Sequence, residues 1–233
     1  MSFIPELVAC DVAPYRLSGV VLGPLLNHRT AWVALGDAAS QPPYKAPPQA
    51  PVLQVKPRNT LVGDGASVVV PADAPALEVG ASLGLVIGQT VCRVNEADAL
   101  AVLAGYTVVN DVRVPHESHY RPAVRQRARD GFCPIGPAVV PAHAVPDPDA
   151  LRVETWVDDV LVHVTDTAER VRGVARLIAD VSEFMTLQPG DVLMLGPSAG
   201  APQVRAGQRV RIVIDGVGTL ETVFVAETAG SRA

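Results

Sequence analysis

The chain has 233 residues, 48% of them hydrophobic and 18% charged, so it is long enough to bury a large core and too apolar to be disordered. A formal net charge of -5 and 4% aromatic residues argue against nucleic-acid binding through a basic surface or base stacking. No apolar run reaches the roughly 18 residues that span a bilayer. No basic segment precedes the first apolar residues, and the sequence therefore predicts a cytoplasmic protein without a membrane partner.

Prolines and glycines, 21 and 19 of them, interrupt many short apolar runs, a pattern typical of a β-rich fold with long loops. Five prolines between Gln41 and Pro51 predict an extended surface segment without regular strand pairing. The residues VLQVKP that follow predict a strand ending at Lys56.

The three cysteines, Cys10, Cys92 and Cys133, show no CxxC spacing, which favours a reducing compartment over a disulfide framework. Cys133 stands between Phe132 and Pro134. It is predicted to be a small buried hydrophobic side chain, with a nucleophile as the alternative.

Two helices and a hairpin are predicted in the second half of the chain. Asn95 as a cap and Gly105 as a stop delimit a short helix. A longer helix should run from about Thr167 to Met185, because its apolar residues recur at helical spacing. These apolar residues are Val171, Val174, Leu177, Ile178 and Val181. The Asp-Gly pair that opens the segment 215–218 predicts a β-hairpin.

The chain is predicted to form one domain over residues 1–233, because the apolar runs ahead of the proline-rich segment are too few to build a separate core. Residues 1–16 are expected to be an N-terminal extension, and residues 227–233 a flexible tail. No internal repeat or low-complexity tract is present.

The segment 105–137 places a carboxylate among cations. Asp111 ends an apolar run, and five arginines follow it: Arg113, Arg121, Arg125, Arg127 and Arg129. In a chain of negative net charge, such a local cluster indicates an anionic ligand. A solvated basic face is the alternative that charge alone leaves open.

Several short motifs occur in a characteristic order between Val20 and Val225: LN, KP, a strand ending VIG, GYTVVNDV, DGFCPIGP, LQPGDV and IDGVGTLETV. In this order the chain resembles the fumarylacetoacetate hydrolase family. The resemblance implies an α+β, mainly β fold, a mixed β-sandwich roll with two or three peripheral helices, usually dimeric. It also implies Mg²⁺ or a similar divalent cation that stabilises an enolate during carbon-skeleton chemistry on oxo acids.

Four further segments resemble the isomerase/decarboxylase branch of that family, which acts in aromatic catabolism: LNHR, PPYKAPP, KPRNT and RDGFCPIG. This branch implies a small anionic substrate, an unsaturated oxo-polycarboxylate. Arginine binds carboxylates in a bidentate geometry, so the cluster suits such a substrate. The substrate-binding candidates are Arg58, Arg125, Arg129, Asp130 and His28.

Asp111, Arg127 and His163 are the catalytic candidates. Arg127 aligns with a lysine of the family and cannot act as a base, because a guanidinium stays protonated. His163 aligns near a substrate-directed glutamine. It is either an acid–base group or a strand histidine with an ordinary hydrogen-bond partner.

The chain departs from the family at the metal ligands. Two carboxylates expected on one strand are replaced by Gly80 and Ser82, which leaves Asp111. Glu78 lies on the same face of the strand and is an alternative ligand. Magnesium prefers carboxylate oxygens, so a metal bound through Asp111 is predicted to be weak or absent in this chain.

Other departures affect proton transfer. The lid positions that carry a histidine and a glutamate in hydrolytic members are Ala31 and Ala34 here. His116 and His119, three residues apart, raise the alternative of a zinc site, but the sequence offers no third ligand nearby.

Three hypotheses follow from the sequence. The chain is an isomerase or decarboxylase of an oxo-polycarboxylate, a non-catalytic subunit that pairs with a sister subunit retaining the carboxylates, or a metal-independent binding protein for small polycarboxylates. The expected assembly is a homodimer or a hetero-oligomer with that sister subunit.

Overall fold

The computed structural model describes residues 19–116, 118–119 and 122–228. The expected N-terminal extension, 1–16, lies outside the described residues, as do Cys10 and Arg121.

The described chain is built mainly from strands, which confirms the predicted α+β, mainly β class. The strands are β1 (Val21–Pro24), β2 (Leu53–Lys56), β3 (Leu61–Val62), β4 (Ser67–Val70), β5 (Leu77–Glu78), β6 (Ala81–Ile87), β7 (Leu103–Asn110), β8 (Cys133–Pro141), β9 (Arg152–Val157), β10 (Val160–Asp166), β11 (Val192–Met194), β12 (Gln203–Val204), β13 (Arg209–Ile214) and β14 (Gly218–Ala226). The α-helices are α1 (Arg29–Leu35), α2 (Val124–Arg127) and α3 (Val174–Ser182). Short 3-10 helices are Gly36–Ser40, Arg58–Thr60, Glu96–Val102 and Ala142–Ala144.

The strands form two main sheets of mixed direction and a small third one. The larger sheet has the order β2-β1-β11-β6-β7-β8-β3, the second has the order β10-β9-β13-β14-β4, and β12 pairs with β5. Parallel pairs join β1 to β11, β3 to β8 and β4 to β14. The remaining pairs within the sheets are antiparallel.

The centre of the larger sheet is buried on both faces. Every residue of β6 is buried, and Leu85 and Val86, which point to opposite faces, belong to separate apolar clusters. A strand covered on both sides reads as a continuous apolar run, because neither face meets water. The run from Ala81 to Ile87 therefore marks the core of the molecule.

The hairpin and the strand before Pro57 are confirmed. Ile214 pairs with Gly218 across the turn, and β2 ends at Lys56. Cys133 is buried, as predicted, whereas Cys92 is exposed. Glu227, placed at the start of the expected tail, donates its backbone N–H to the carbonyl of Val70 at 3.1 Å.

The predicted helix from Thr167 to Met185 is too long at its start. The helix begins at Val174, because the carboxylate of Asp149 accepts the backbone N–H of Val174 at 3.0 Å. The acceptor of this first helical N–H lies 25 residues earlier in the chain, so the sequence around Val174 does not predict where the helix begins. Val171, placed on the apolar face by periodicity, lies outside the helix and is 39% exposed.

The predicted helix from Asn95 to Gly105 is a 3-10 helix that ends at Val102. Gly105 lies inside β7 and is not a helix stop. A Cβ at Gly105 would meet the carbonyl oxygen of Val140 at 2.0 Å, so this glycine permits close approach of two strands. Close packing, and not a turn, explains the residue.

The pairing of β6 with β7 positions the candidate site. Ser82 lies opposite Val109, and Asp111 follows the last residue of β7 directly. β2 brings Lys56 to the same region from the edge of the sheet. Among the described residues, no helix has the length and apolar character needed to cross a membrane.

Candidate active site

Asp111 is the centre of a buried charge cluster. Its carboxylate is fully buried, with Lys56 Nζ 2.6 Å from Oδ1 and Arg127 Nη1 3.1 Å from Oδ2. Gln54 Nε2 donates to Oδ2 at 2.6 Å. Two cations and an amide therefore surround a single carboxylate. We call Gln54, Lys56, Asp111 and Arg127 the Asp111 cage.

Lys56 connects the cage to the backbone of three segments. Its ammonium donates to the carbonyls of Val112, Arg127 and Phe132 at 3.0–3.2 Å. A buried ammonium is costly unless paired and hydrogen-bonded, and here acceptors surround it. The lysine fixes the ends of β7 and α2 and the start of β8 relative to one another.

The charge state of the cage follows from its contacts. Burial raises the pKa of Asp111, but Lys56 and then Arg127 outweigh it and hold the pKa well below its usual range. Arg127 Nε also donates to His116 Nε2 at 3.3 Å, and His116 Nδ1 lies 3.0 Å from the carbonyl of Val114. This pattern assigns a neutral His116 that accepts at Nε2 and donates at Nδ1.

Gly80 and Ser82, the positions at which the resemblance predicts metal-binding carboxylates, do not fit a metal here. A Cβ at Gly80 would lie 2.9 Å from the carbonyl oxygen of Asp111 and 3.1 Å from Pro197, so the backbone leaves no room for a side chain. The Ser82 hydroxyl donates to the carbonyl of Leu83 and accepts the N–H of Gly196 at 3.0 Å. Both positions are filled or satisfied by protein atoms.

The remaining carboxylates are also occupied. Asp111 is neutralised by the cage, and the alternative ligand Glu78 forms an ion pair with Arg113. Within the described part of the chain, no three His, Cys, Asp or Glu residues are grouped to hold a metal ion. A hard dication needs uncommitted carboxylate oxygens, so the donor set does not fit Mg²⁺ or a similar cation.

A cavity of about 290 Å³ is lined in part by His116, which accepts a hydrogen bond from Arg127 of the cage; we call it the Arg113 cavity. It is lined by Leu25, Ala31, Ala34, Leu35, Glu78, Arg113, His116, His119, Pro197, Ser198, Ala199 and Gly200. Helix α1 covers it with the methyl groups of Ala31 and Ala34, so no general base comes from that side.

A larger cavity of about 440 Å³, the Arg127 cavity, has mainly apolar walls. Its polar lining residues include Gln54, His119 and Arg127. His119 borders both cavities and a third of about 190 Å³. This histidine therefore borders three cavities of the described structure.

His119 differs from His116 in its hydrogen bonds. Its backbone N–H donates to the Tyr44 hydroxyl at 2.8 Å, but its buried Nδ1 has no partner in the described chain. Burial first, and then Arg127 and Arg113, lower the pKa of His119 to about 4. The imidazole is neutral at pH 7.

The charges around the two cavities do not cancel. Asp111 and Glu78 face three cations, Lys56, Arg113 and Arg127. The described side chains of this group thus carry one net positive charge. A site with an uncompensated cation in partly buried surroundings favours an anionic ligand.

The structure joins two of the catalytic candidates, Asp111 and Arg127, in a buried ion pair whose role is structural. His163 lies on β10, where its Nε2 meets Ser198 Oγ at 2.9 Å, so it has an ordinary partner at the rim of the Arg113 cavity.

His28 is buried beneath α1, where its Nδ1 accepts the N–H of Thr30 at the helix start, and it is not at the predicted pocket mouth.

Four substrate-binding candidates stand apart from the three cavities. Arg125 and Arg129 pair with the exposed Asp73 at 2.8 and 3.0 Å. Arg58 is exposed, and Asp130 accepts from Asn59 Nδ2 at 2.7 Å. The arginine-rich segment thus divides: Arg127 turns inward, whereas Arg125 and Arg129 each form a surface ion pair with Asp73. The phase of the short helix α2 determines this division.

The sequence interpretation missed the structural role of Lys56 and Gln54 and the buried Nδ1 of His119, which has no partner among the described residues. A signal for Lys56 existed, because it is one of two lysines in the chain and ends an apolar strand in the KP motif. Gln54, two residues earlier, projects from the same face of β2. His119 and His116 were considered together as a zinc site, but both ring nitrogens of His116 are already hydrogen-bonded, Nε2 to Arg127 and Nδ1 to the carbonyl of Val114.

A sequence model described as fumarylacetoacetate (FAA) hydrolase C-terminal matches residues 21–225. The chain belongs to the fumarylacetoacetate hydrolase family. It is 39% identical over 211 residues to the 4-hydroxyphenylacetate degradation bifunctional isomerase/decarboxylase of Escherichia coli. That match covers 91% of this chain and 48% of the relative, so the chain spans about half the length of that protein.

Solved structures confirm the family fold. The 5-carboxymethyl-2-hydroxymuconate delta-isomerase of Mycobacterium smegmatis matches with a TM-score of 0.77 and 28% identity, over 91% of this chain and 80% of that one. The maleylpyruvate hydrolase of Sphingobium sp. SYK-6, in complex with manganese(II) ion and pyruvate, matches with a TM-score of 0.74 and 30% identity, over 90% of this chain and 71% of that one. These family members are enzymes, and the hydrolase holds a divalent cation.

Lys56→Met tests whether the cage holds the fold together. The variant leaves Asp111 with Arg127 as its single cation, so we expect the free energy of unfolding to fall by about 3–5 kcal/mol. Urea denaturation at pH 7 measures the change. Lys45→Met, at the exposed position of the other lysine, should stay within about 0.5 kcal/mol of the parent. Equal effects of the two substitutions would refute the structural role.

Acidification should destabilise the protein between about pH 6.5 and pH 4. Burial lowers the pKa of His28 and of His119 to about 4. Above pH 6.5 the two histidines are neutral in the folded and in the unfolded chain, and their contribution to the free energy of unfolding is fully present. Below pH 6.5 the histidines of the unfolded chain bind protons that those of the folded chain do not, so stability falls. Each such group contributes about 1.4 kcal/mol per pH unit.

Urea denaturation of the parent and of His28→Asn at pH 7.5, 6 and 5 checks this dependence. Asparagine keeps a helix-capping side chain, so the slope of stability against pH should decrease by about one proton. His143→Asn, at an exposed position, is the control. An unchanged slope in His28→Asn would contradict the assignment of a neutral buried imidazole.

Proposed function

We propose that this chain is one unit of an isomerase/decarboxylase system of aromatic catabolism, and that it performs the isomerisation without a metal. The substrate is an unsaturated oxo-polycarboxylate, of the 5-oxopent-3-ene-1,2,5-tricarboxylate or 2-hydroxyhepta-2,4-diene-1,7-dioate type. The names of the related proteins support the reaction class. One observation carries the proposal: the Arg113 cavity combines a guanidinium and neutral imidazoles beside a carboxylate cage that has no vacancy for a cation.

The chemistry separates the two activities. Isomerisation of a dienol to its ketone moves a proton from oxygen to carbon, and a positioned acid–base group is enough for it. Decarboxylation leaves an electron pair that must be stabilised as an enolate, a task suited to a Lewis acid. The residues of this chain serve the first requirement, and the second belongs to a unit with metal-binding carboxylates.

The arginines support a substrate with several carboxylates. Arg113 and Arg127 border neighbouring cavities that share Leu25 and His119 as walls. The net positive charge of the group favours a polyanion over a neutral ketone. The apolar lining of the larger cavity suits the carbon chain between the carboxylates.

The purified chain should isomerise 2-hydroxyhepta-2,4-diene-1,7-dioate by itself, followed by loss of the dienol absorbance. Because no step uses a Lewis acid, EDTA should change kcat by less than about twofold, and added Mg²⁺ should not restore or raise it. Decarboxylation of the tricarboxylate should be absent. Isomerisation that disappears with EDTA and returns with Mg²⁺ would overturn the metal-free assignment.

A second candidate function is that of a non-catalytic partner for a related unit that retains the metal carboxylates. The chain matches 48% of a bifunctional relative, which leaves room in that protein for a second unit of similar size. Strand β10 forms one edge of the five-stranded sheet. Four of its apolar side chains are 39–62% exposed: Val160, Leu161, Val162 and Val164.

An edge strand with exposed apolar side chains is a site for association, because its outer backbone groups and side chains both lack partners within the sheet. We propose that a second family-fold unit, a copy of this chain or its metal-bearing relative, covers β10. Turnover of the tricarboxylate by the relative alone and by the mixture distinguishes partner from enzyme. No activity of this chain, with an increase on mixing, supports the partner function.

Val162→Glu should weaken this association, because it places a charge in the middle of the apolar strand. We expect the molar mass from light scattering to fall from that of an assembly to that of one chain at micromolar concentration. Val33→Glu, at an exposed valine of α1, should leave the assembly intact. Assembly that survives Val162→Glu excludes β10 as the contact.

A further inference from the structure

We propose that His119 is the proton-transfer residue of the Arg113 cavity and that Arg113 binds a substrate carboxylate beside it. This inference rests on the proposed isomerase function and names the groups that carry it out. It concerns residues outside the metal positions and outside the lid positions at Ala31 and Ala34.

The first argument is the unsatisfied hydrogen-bonding capacity of His119. Its Nδ1 is buried without a partner in the described chain, although the residue borders all three cavities. A buried ring nitrogen without a partner is unfavourable, and such groups in folded proteins call for a water, an ion or a ligand. His116 shows the contrast, since Arg127 and Val114 satisfy both of its ring nitrogens.

The second argument is the state of Arg113. Its Nη2 forms an ion pair with Glu78 Oε1, while its Nε is buried without a hydrogen-bond partner among the described residues. The guanidinium has five N–H donors, so Glu78 does not exhaust it. Its side chain is 15% exposed and borders the same cavity as His119. Arg113 is therefore a cation held in place by Glu78 with donors left for a carboxylate.

The third argument is the charge of the surroundings. Arg113, Arg127 and Lys56 outnumber Asp111 and Glu78 by one unit charge. Burial, and after it Arg127 and Arg113, keep the pKa of His119 low and the imidazole neutral. An anionic substrate cancels the surplus charge, which raises the affinity of His119 for a proton at the moment when the substrate is bound. Substrate binding thereby tunes the base toward the working pH.

The proton inventory of the step is balanced. The neutral ring nitrogen of His119 takes the hydroxyl proton of the dienol as the oxygen becomes a carbonyl. The electrons of the conjugated double bonds shift toward the distal carbon. The imidazolium returns the proton to that carbon, so one O–H bond breaks and one C–H bond forms. No oxidant, reductant or co-reactant is consumed.

The test compares His119→Gln and His119→Ala with the parent chain in EDTA. We expect kcat for the dienol to fall about 100-fold or more in both, the usual contribution of a general acid–base group. KM should change by less than about threefold, because the carboxylate contact remains. The exposed His143→Gln is the matched control and should keep the parent kcat. A kcat in His119→Gln within about threefold of the parent overturns the role of His119.

Arg113 is tested by binding of pimelate, a saturated seven-carbon dicarboxylate that cannot react. Arg113→Gln should weaken binding in isothermal titration by about tenfold or more, the value of a charge-assisted hydrogen bond. Arg113→Lys keeps the ion pair with Glu78 and should retain part of the affinity. Circular dichroism confirms that both variants are folded. Parent-like affinity in folded Arg113→Gln overturns its role.

A third measurement separates this inference from the proposed function. The pKa of the His119 imidazole, followed by NMR, should rise from about 4 when pimelate saturates the parent chain, and should not rise in Arg113→Gln. If the parent chain shows this rise but no turnover, the isomerase function fails and the carboxylate-binding pair stands. An unchanged His119 pKa at saturating pimelate overturns the pair.

Discussion

The buried ion pair between Asp111 and Lys56 is the interaction on which the site depends. A carboxylate with no exposure to water is tolerated here because an ammonium lies 2.6 Å away and a guanidinium 3.1 Å away. The same ammonium binds three backbone carbonyls, which lie just after β7, at the end of α2 and before β8. Removing one ion would leave the others buried without a partner. The cage therefore joins the edge strand β2, the end of the central strand β7 and the loop before β8 into one rigid unit.

This arrangement also determines what the site can bind. The related maleylpyruvate hydrolase is in complex with manganese(II), whereas in this chain Lys56 and Arg127 already neutralise the carboxylate of Asp111. Gly80 is packed against the backbone and Ser82 is hydrogen-bonded to it, so both positions belong to the core. Among the described side chains, the surplus positive charge of this group favours an anionic ligand over a metal.

The sequence predicted the parts of the fold that depend on local patterns. The strand ending at Lys56 and the hairpin turn at 215–218 are where the local pattern places them, and Cys133 is buried, as its apolar character between Phe132 and Pro134 predicts. The start of α3 was missed, because the carboxylate that binds its first N–H comes from Asp149, 25 residues earlier. Gly105 was misread as a stop, because a missing Cβ serves either a turn or close strand packing, and sequence does not distinguish the two.

Sequence by itself determined the family and the mainly β class, and the resemblance predicted metal carboxylates where Gly80 and Ser82 stand. It also selected Asp111 and Arg127 as catalytic candidates. The tertiary structure decided which charges meet: Lys56 enters from a strand distant in sequence, Arg127 turns inward, and Arg129 turns out toward Asp73. These outcomes depend on helix phase and on contacts between distant segments, for which residue order carries no direct signal. His119 stands out for the same reason, because an unpaired nitrogen is recognised only once its neighbours are in place.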